Sequence, residues 1–249
     1  MDINTHFFFG IFGNVAAMLL FLAPTITFKR IIRHKSTEGF SGITYLMSFL
    51  SCLLFGWYGL PFVSPHNFLL STISLTGAAI EFIYVVIFIL YAPKKEKAKI
   101  LGILTIVLTM SSAVALVSLF ALRGNTRKLF CGFLATIFSV IMFASPLSIM
   151  MIVIRTKSVE FMPFFLSLSV FLCGTSWFIY GLLGRDPFVS VSNGFGCGLG
   201  AMQLMLYFIY RVRDNKKPTP EESVEMGLPI PHHQEKKSTA NGSALQGHD

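Results

Sequence analysis

Along the chain, Asp, Glu, Lys and Arg fall in short clusters separated by long charge-free stretches. Residues 7–28, 39–80, 100–122, 129–154, 161–184 and 187–210 contain none of the four. A helix that crosses the hydrocarbon core of a bilayer needs about 20 apolar residues. The stretch 39–80 is twice as long as the others and is interrupted between Pro61 and Asn67, where Pro65 cannot extend a helix. It therefore holds one span and the start of another, which continues past Glu81 to Tyr91. The pattern predicts seven spans, over about 7–28, 43–62, 68–91, 100–122, 129–154, 163–184 and 187–210.

Composition agrees with that pattern. The 249 residues are 53% hydrophobic, 14% aromatic and only 13% charged, about half the charge that covers a soluble domain. The net charge of +8 would suggest nucleic acid in a soluble chain, but its placement between spans excludes that partner. The four cysteines, Cys52, Cys131, Cys173 and Cys197, all fall inside predicted spans without a CxxC pattern. They read as small buried hydrophobes, and no metal or cofactor is implied.

The basic residues fix an orientation. Sixteen of the 20 Lys and Arg lie on one side of the predicted spans, around 29–35, 94–99, 155–157 and beyond 210; only Arg123, Arg127, Lys128 and Arg185 lie on the other. Cytoplasmic loops carry the excess of positive charge, so the N-terminus is expected outside and the C-terminus in the cytosol. Residues 1–6 lack the basic start of a cleaved signal peptide, and the first span should be retained. After Arg211 the composition turns to Pro, Glu, Lys, Ser, Gly and His, which reads as a disordered cytosolic tail over 214–249. On that side the Asn241-Gly242-Ser243 sequon would go unused.

The organising feature is an internal repeat. A shift of 122 positions aligns Pro24, Ile32, Arg33, Lys35, Ser36 and Glu38 with Pro146, Ile154, Arg155, Lys157, Ser158 and Glu160. It also pairs Tyr58-Gly59-Leu60 with Tyr180-Gly181-Leu182; after a three-residue deletion, Gly77 pairs with Gly196. Spans 1 to 3 (7–91) thus match spans 5 to 7 (129–211), and span 4 (100–122) is a connector. Three spans reverse the direction of the chain through the membrane, so the connector lets the second copy enter as the first did. The expected fold is an all-α integral membrane protein with two parallel three-helix repeats in a 3+1+3 arrangement, an architecture used by one class of secondary transporter with its site at the repeat interface.

Several segments carry a resemblance: Phe21-Leu22-Ala23-Pro24, the run Lys35 to Gly42 (KSTEGFSG), the run Ala144 to Met150 (ASPLSIM), the run Lys157 to Phe164 (KSVEFMPF), and Gly174-Thr175-Ser176-Trp177-Phe178. Over residues 7–211 the chain resembles the plant SWEET sugar transporters, most of all the branch associated with hexoses. That resemblance implies facilitated, bidirectional sugar movement by alternating access without a coupling ion. It further implies a plasma-membrane location and association with itself or with related transporters.

The repeat locates a candidate pocket. Phe55 aligns with Trp177, each three residues before the shared Tyr, and Ser74 aligns with Asn193. A pyranose offers apolar C–H faces to aromatic rings, and hydroxyls that donate and accept; Asn supplies both functions in one side chain and Ser in a shorter one. The same residue types also occur as core packing and interhelical glue. By the resemblance, the Ser74 position usually holds Asn and the Phe55 position a small residue, so the chain departs at both. Pro24 and Pro146 lie inside spans, where each removes a backbone hydrogen bond and permits a bend, and Pro163 opens span 6. The resemblance assigns them to a four-proline hinge set near the cytoplasmic gate, with Thr44 in place of the fourth.

Glu81 is the one ionisable residue deep in a span. An intramembrane carboxylate is a functional candidate by default. With no intramembrane Lys, Arg or His beside it in sequence, it makes a poor proton relay and reads as a structural hydrogen-bonding group. The loops Arg33 to Glu38 and Arg155 to Glu160 are expected to pair their own charges or to clasp the opposite repeat, positioning the inner gate.

A seven-helix receptor is the competing class, but it has no parallel three-span repeat. An enzyme would need a His cluster, paired carboxylates or a nucleophilic set, and the spans hold none.

Overall fold

A computed structural model of the chain describes residues 3–159 and 162–214. The tail from 215 onward with its sequon, and Glu160 of the second repeated loop, lie outside the described residues. Within them are helices and short turns. α1 (Ile3–Leu22) and α2 (Thr25–His34) form one span broken at Pro24; α3 (Ile43–Tyr58) and α4 (Phe68–Tyr91) complete the first repeat. α5 (Lys94–Phe120) is the connector. α6 (Gly124–Met142) and α7 (Ala144–Thr156) form a second broken span, followed by α8 (Phe164–Leu183) and α9 (Pro187–Asp214).

Five helical segments are long and apolar enough to cross a membrane: Asn4–His34, Phe68–Tyr91, Lys94–Phe120, Gly124–Thr156 and Phe164–Leu183. α3 is shorter, at 16 residues, and α9 runs for 28. Helix ends depart from the charge-free stretches in identifiable places. α5 starts at Lys94, six residues before the first charge-free position, because Lys94, Lys95, Glu96 and Lys97 form its opening turn. α3 stops at Tyr58, and the chain then turns through residues 59–67.

The packing is that of a duplicated unit. Within the first repeat α4 lies between α1 and α3, and within the second α9 lies between α6 and α8. Across the molecule α1 packs on α8 and α3 packs on α6, the same contact made twice with the roles exchanged. Such reciprocity is the signature of a two-fold relation between parallel copies. Close approach inside each unit depends on the repeated glycine. A Cβ on Gly59 would stand 2.7 Å from the Ser71 backbone nitrogen, and one on Gly181 would stand 2.6 Å from that of the equivalent Ser190. The two loops repeat as well: Lys35 and Lys157 end α2 and α7 in the left-handed region, at φ 51° and 53°.

α5 packs chiefly on α3, and Trp57 Nε1 donates to Ser118 Oγ at 2.8 Å. The connector therefore belongs to the first half, leaving the interface between the repeats to α1, α3, α6 and α8.

Candidate functional site

A cavity of about 440 Å³ runs between the two three-helix units. All eight residues singled out from the sequence line it: Phe55, Ser74, Trp177 and Asn193, with Pro24, Thr44, Pro146 and Pro163. A larger groove, about 970 Å³, follows the outer flank of α6 to α9 past exposed Val191, Phe195 and Met202. It holds none of the eight.

Trp177 is only 3% exposed, and its ring meets Tyr180 edge-on, with centroids 5.0 Å apart. α1 reaches it because Gly13 has no side chain; a Cβ there would lie 2.9 Å from the indole. Asn193 Nδ2 donates to Val189 C=O one turn back in α9 at 2.9 Å. Ser74 is buried on α4. The paired positions found by sequence thus supply one aromatic and one polar group from each repeat to the same space.

Past the Trp177 end of the cavity lies a buried polar cluster that bonds the two repeats to each other. Asp186, 2% exposed, is the residue before α9, and its Oδ1 accepts from the backbone N–H groups of Phe188 and Val189 at 3.1 and 3.2 Å. An Asp in that place with Pro at the first helical position is a favoured helix start. Its Oδ2 accepts from Tyr58 O–H at 2.5 Å and Asn67 Nδ2 at 2.7 Å, and lies 3.4 Å from Lys128 Nζ. The equivalent tyrosine, Tyr180, donates to His66 C=O at 2.9 Å and carries the stacked ring of His6, 3.9 Å away. Each repeat's tyrosine therefore bonds to the loop before the other repeat's last helix. Asp186 and Asn67 escaped the sequence reading because polar residues at the edge of an apolar stretch look like ordinary loop solvation. The signal that was present was the repeated tyrosine.

At the opposite end lie the prolines, and the two helix breaks differ. In the first span the chain turns at Ala23 and Pro24, and Tyr84 O–H donates to Phe21 C=O at 2.9 Å, with Thr25 Oγ1 2.8 Å from the same hydroxyl. In the second span the turn falls at Phe143, three residues before Pro146, whose ring has no N–H for the Met142 carbonyl. There Phe143 C=O is taken by the backbone N–H of Leu147 at 3.2 Å. Gln203 stands where the repeat places Tyr84, and its Oε1 has no partner. Pro163 precedes the first residue of α8 in extended conformation, and Thr44 is the second residue of α3.

Glu81, 5% exposed, also lines the cavity; its Oε1 accepts from Ser48 Oγ at 2.8 Å. Among the described residues Glu38 pairs with Arg30 at 2.6 Å and His34 at 2.8 Å, within its own repeat. His34 sits one turn and Arg30 two turns back from Glu38, so this carboxylate is paired within its own repeat.

Comparison with known proteins gives the same picture twice over. The family described as sugar efflux transporters for intercellular exchange matches residues 7–96 and 129–215, one block on each repeat. The chain is 63% identical over 237 residues to the bidirectional sugar transporter SWEET1 of Arabidopsis thaliana, covering 95% of this chain and 96% of that one. It is 60% identical over 227 residues to SWEET1a of Oryza sativa subsp. japonica, covering 91% and 82%. A solved structure of a eukaryotic SWEET transporter superposes with a TM-score of 0.81 at 46% identity, covering 84% of this chain and 97% of that one. With a duplicated unit, a cavity on the axis between its copies and relatives matched along nearly their whole length, the chain belongs to the SWEET family of sugar transporters.

Proposed function

We propose that this protein carries sugars, and hexoses in particular, in both directions down their gradient, by alternating exposure of the cavity between its repeats. One observation carries the reading: the eight residues chosen from the repeat and the resemblance line a single cavity between the two repeats, with the buried Tyr58, Asn67 and Asp186 cluster bonding the repeats to each other. A hexose seated there would stack a C–H face on Trp177 and Phe55 and exchange hydrogen bonds with Asn193 and Ser74. Opening the far end requires Tyr58, Asn67 and Tyr180 to release the opposite repeat, while the proline breaks let α2 and α7 close the near end.

By its excess of Lys and Arg, the end bearing the hinges faces the cytosol and the Asp186 cluster faces outside. The plasma membrane is the proposed location. Association with further copies or with related transporters rests on the resemblance alone, and crosslinking in membranes tests it. Uptake and efflux of radiolabelled glucose and sucrose in a transport-deficient cell test the function. Glucose should move in both directions along its gradient, and a chain that moves neither sugar at good surface expression overturns the proposal.

A further inference from the structure

Buried polar atoms in a folded chain are paired, and each exception calls for a reason. Among the described residues, two such exceptions line the central cavity: Glu81 Oε2 on α4 and Gln203 Oε1 on α9. They come from different repeats, and both side chains are at least nine-tenths buried, at 5% and 6% exposure. Both are acceptors. Glu81 stands seven residues beyond Ser74, two turns or about 10 Å along α4. Gln203 stands ten residues beyond Asn193 on α9. Both therefore stand on the proline side of the Ser74 and Asn193 level, with Gln203 at the position that Tyr84 holds beside the first break.

Ser48 satisfies only one oxygen of Glu81, and no Lys, Arg or His forms an ion pair with it among the described residues. Among the described residues nothing completes either group. What would complete them is a set of hydroxyl donors, which a sugar brings in abundance and a lipid chain lacks. The last torsion of Glu and of Gln is soft, so either unpaired oxygen can swing to meet a ligand in the cavity. We infer that Glu81 and Gln203 form a second acceptor subsite that reads sugar hydroxyls on the hinge side of the aromatic level, one side chain from each repeat. The inference rests on the reading of this cavity as the sugar path.

A site built around a buried acceptor rejects an analogue that lacks the matching donor, because the acceptor is again left unpaired. Fluorine accepts and cannot donate, so replacing that hydroxyl by fluorine is no remedy. Glu81→Gln keeps an oxygen for Ser48, so a purely structural role predicts no change, yet it turns the other position into an N–H donor that tolerates fluorine.

The test is competition of labelled glucose uptake by glucose analogues with each ring hydroxyl in turn replaced by hydrogen or by fluorine, on the wild type, Glu81→Gln, Gln203→Leu and Trp177→Ala. At two ring positions, one for each acceptor, the wild type should lose about tenfold in apparent affinity with either replacement. In Glu81→Gln the fluorine penalty at one of them should disappear while the other positions keep their pattern; in Gln203→Leu the penalty at the other of the two should disappear. Trp177→Ala should lower the uptake of labelled glucose itself. If both polar variants keep the wild-type pattern and the wild-type KM for glucose, the subsite does not exist and Glu81 is only a pin between α3 and α4. Should Glu81→Gln fail to reach the membrane, the Gln203→Leu pattern decides alone. A wild type that moves glucose and loses it in Trp177→Ala upholds the sugar path whichever way the subsite falls; a wild type that moves no sugar removes both.

Discussion

Asn67 and Asp186 occupy the same position in the two repeats, each just before the last helix of its unit, and they are bonded to each other, Nδ2 to Oδ2 at 2.7 Å. Duplication has left an amide in one copy and a carboxylate in the other, so that one can donate what the other accepts. Two identical carboxylates there would repel. The arrangement ties the two repeats together at the end away from the prolines, with Tyr58 bonded to the same oxygen.

Loosening this tie should expose the cavity from the other side. A hydrogen bond to a charged acceptor contributes about 2 kcal/mol, so Tyr58→Phe should shift the balance toward the outward-open form by about 30-fold. Cys173 lines the cavity, and a membrane-impermeant thiol reagent added outside should label it faster in Tyr58→Phe than in the wild type, as read by mass spectrometry. Equal labelling would show that the cluster does not hold the outer end shut.

In the pocket, Trp177→Ala should remove most transport, since it deletes a stacking face that contributes on the order of 1 kcal/mol beyond the area it buries. Asn193→Ala should lower apparent affinity about tenfold to a hundredfold by leaving a sugar hydroxyl without its partner. Ser74→Asn, which matches Asn193 across the axis, should raise hexose flux. Phe55→Ser should widen the range of sugars accepted. Unchanged flux in all four, at equal surface expression, would move the site elsewhere.

Pro24→Ala and Pro146→Ala each return an N–H to a helix that lacks one, and should slow transport while the protein still reaches its membrane. Tyr84→Phe removes the hydroxyl that serves Phe21 C=O and should loosen the first break, the opposite of Pro24→Ala, while leaving the second break alone. Comparing the rates of Pro146→Ala with and without Tyr84→Phe tests whether the two hinges act independently.

Transport should survive collapse of the proton gradient, because Glu81 has no cationic partner among the described residues with which to relay a proton. An uncoupler added during uptake checks this, and loss of concentrative uptake would contradict it. Reporter tags placed after Asp214 and before Ile3 check the orientation: the first should be reached only from the cytosol and the second only from outside.

The repeat made much of this legible in advance. A fixed offset of 122 paired Tyr58 with Tyr180 and Phe55 with Trp177 before any coordinates, and parallel copies must bring such pairs toward one axis. The charge-free stretches gave the spans but not their ends, since Lys94 to Lys97 are helical in spite of their charge. Nor did the pattern give the order of packing, with α4 inside α1 and α3, because hydropathy in lipid does not distinguish a face toward protein from a face toward hydrocarbon. Asp186 stayed hidden for a related reason: its importance lies in partners 119 and 128 residues away, which no local pattern records.

The unlike treatment of the two helix breaks carries a further consequence. The first is clipped from outside by a tyrosine of α4, whereas at the second the matching carbonyl is taken by the backbone, with a glutamine where the clip would be. Two copies of one element are thereby held by different bonds. The α7 break thus has one side-chain tie fewer than the α2 break, and the α7 side is expected to yield before the α2 side.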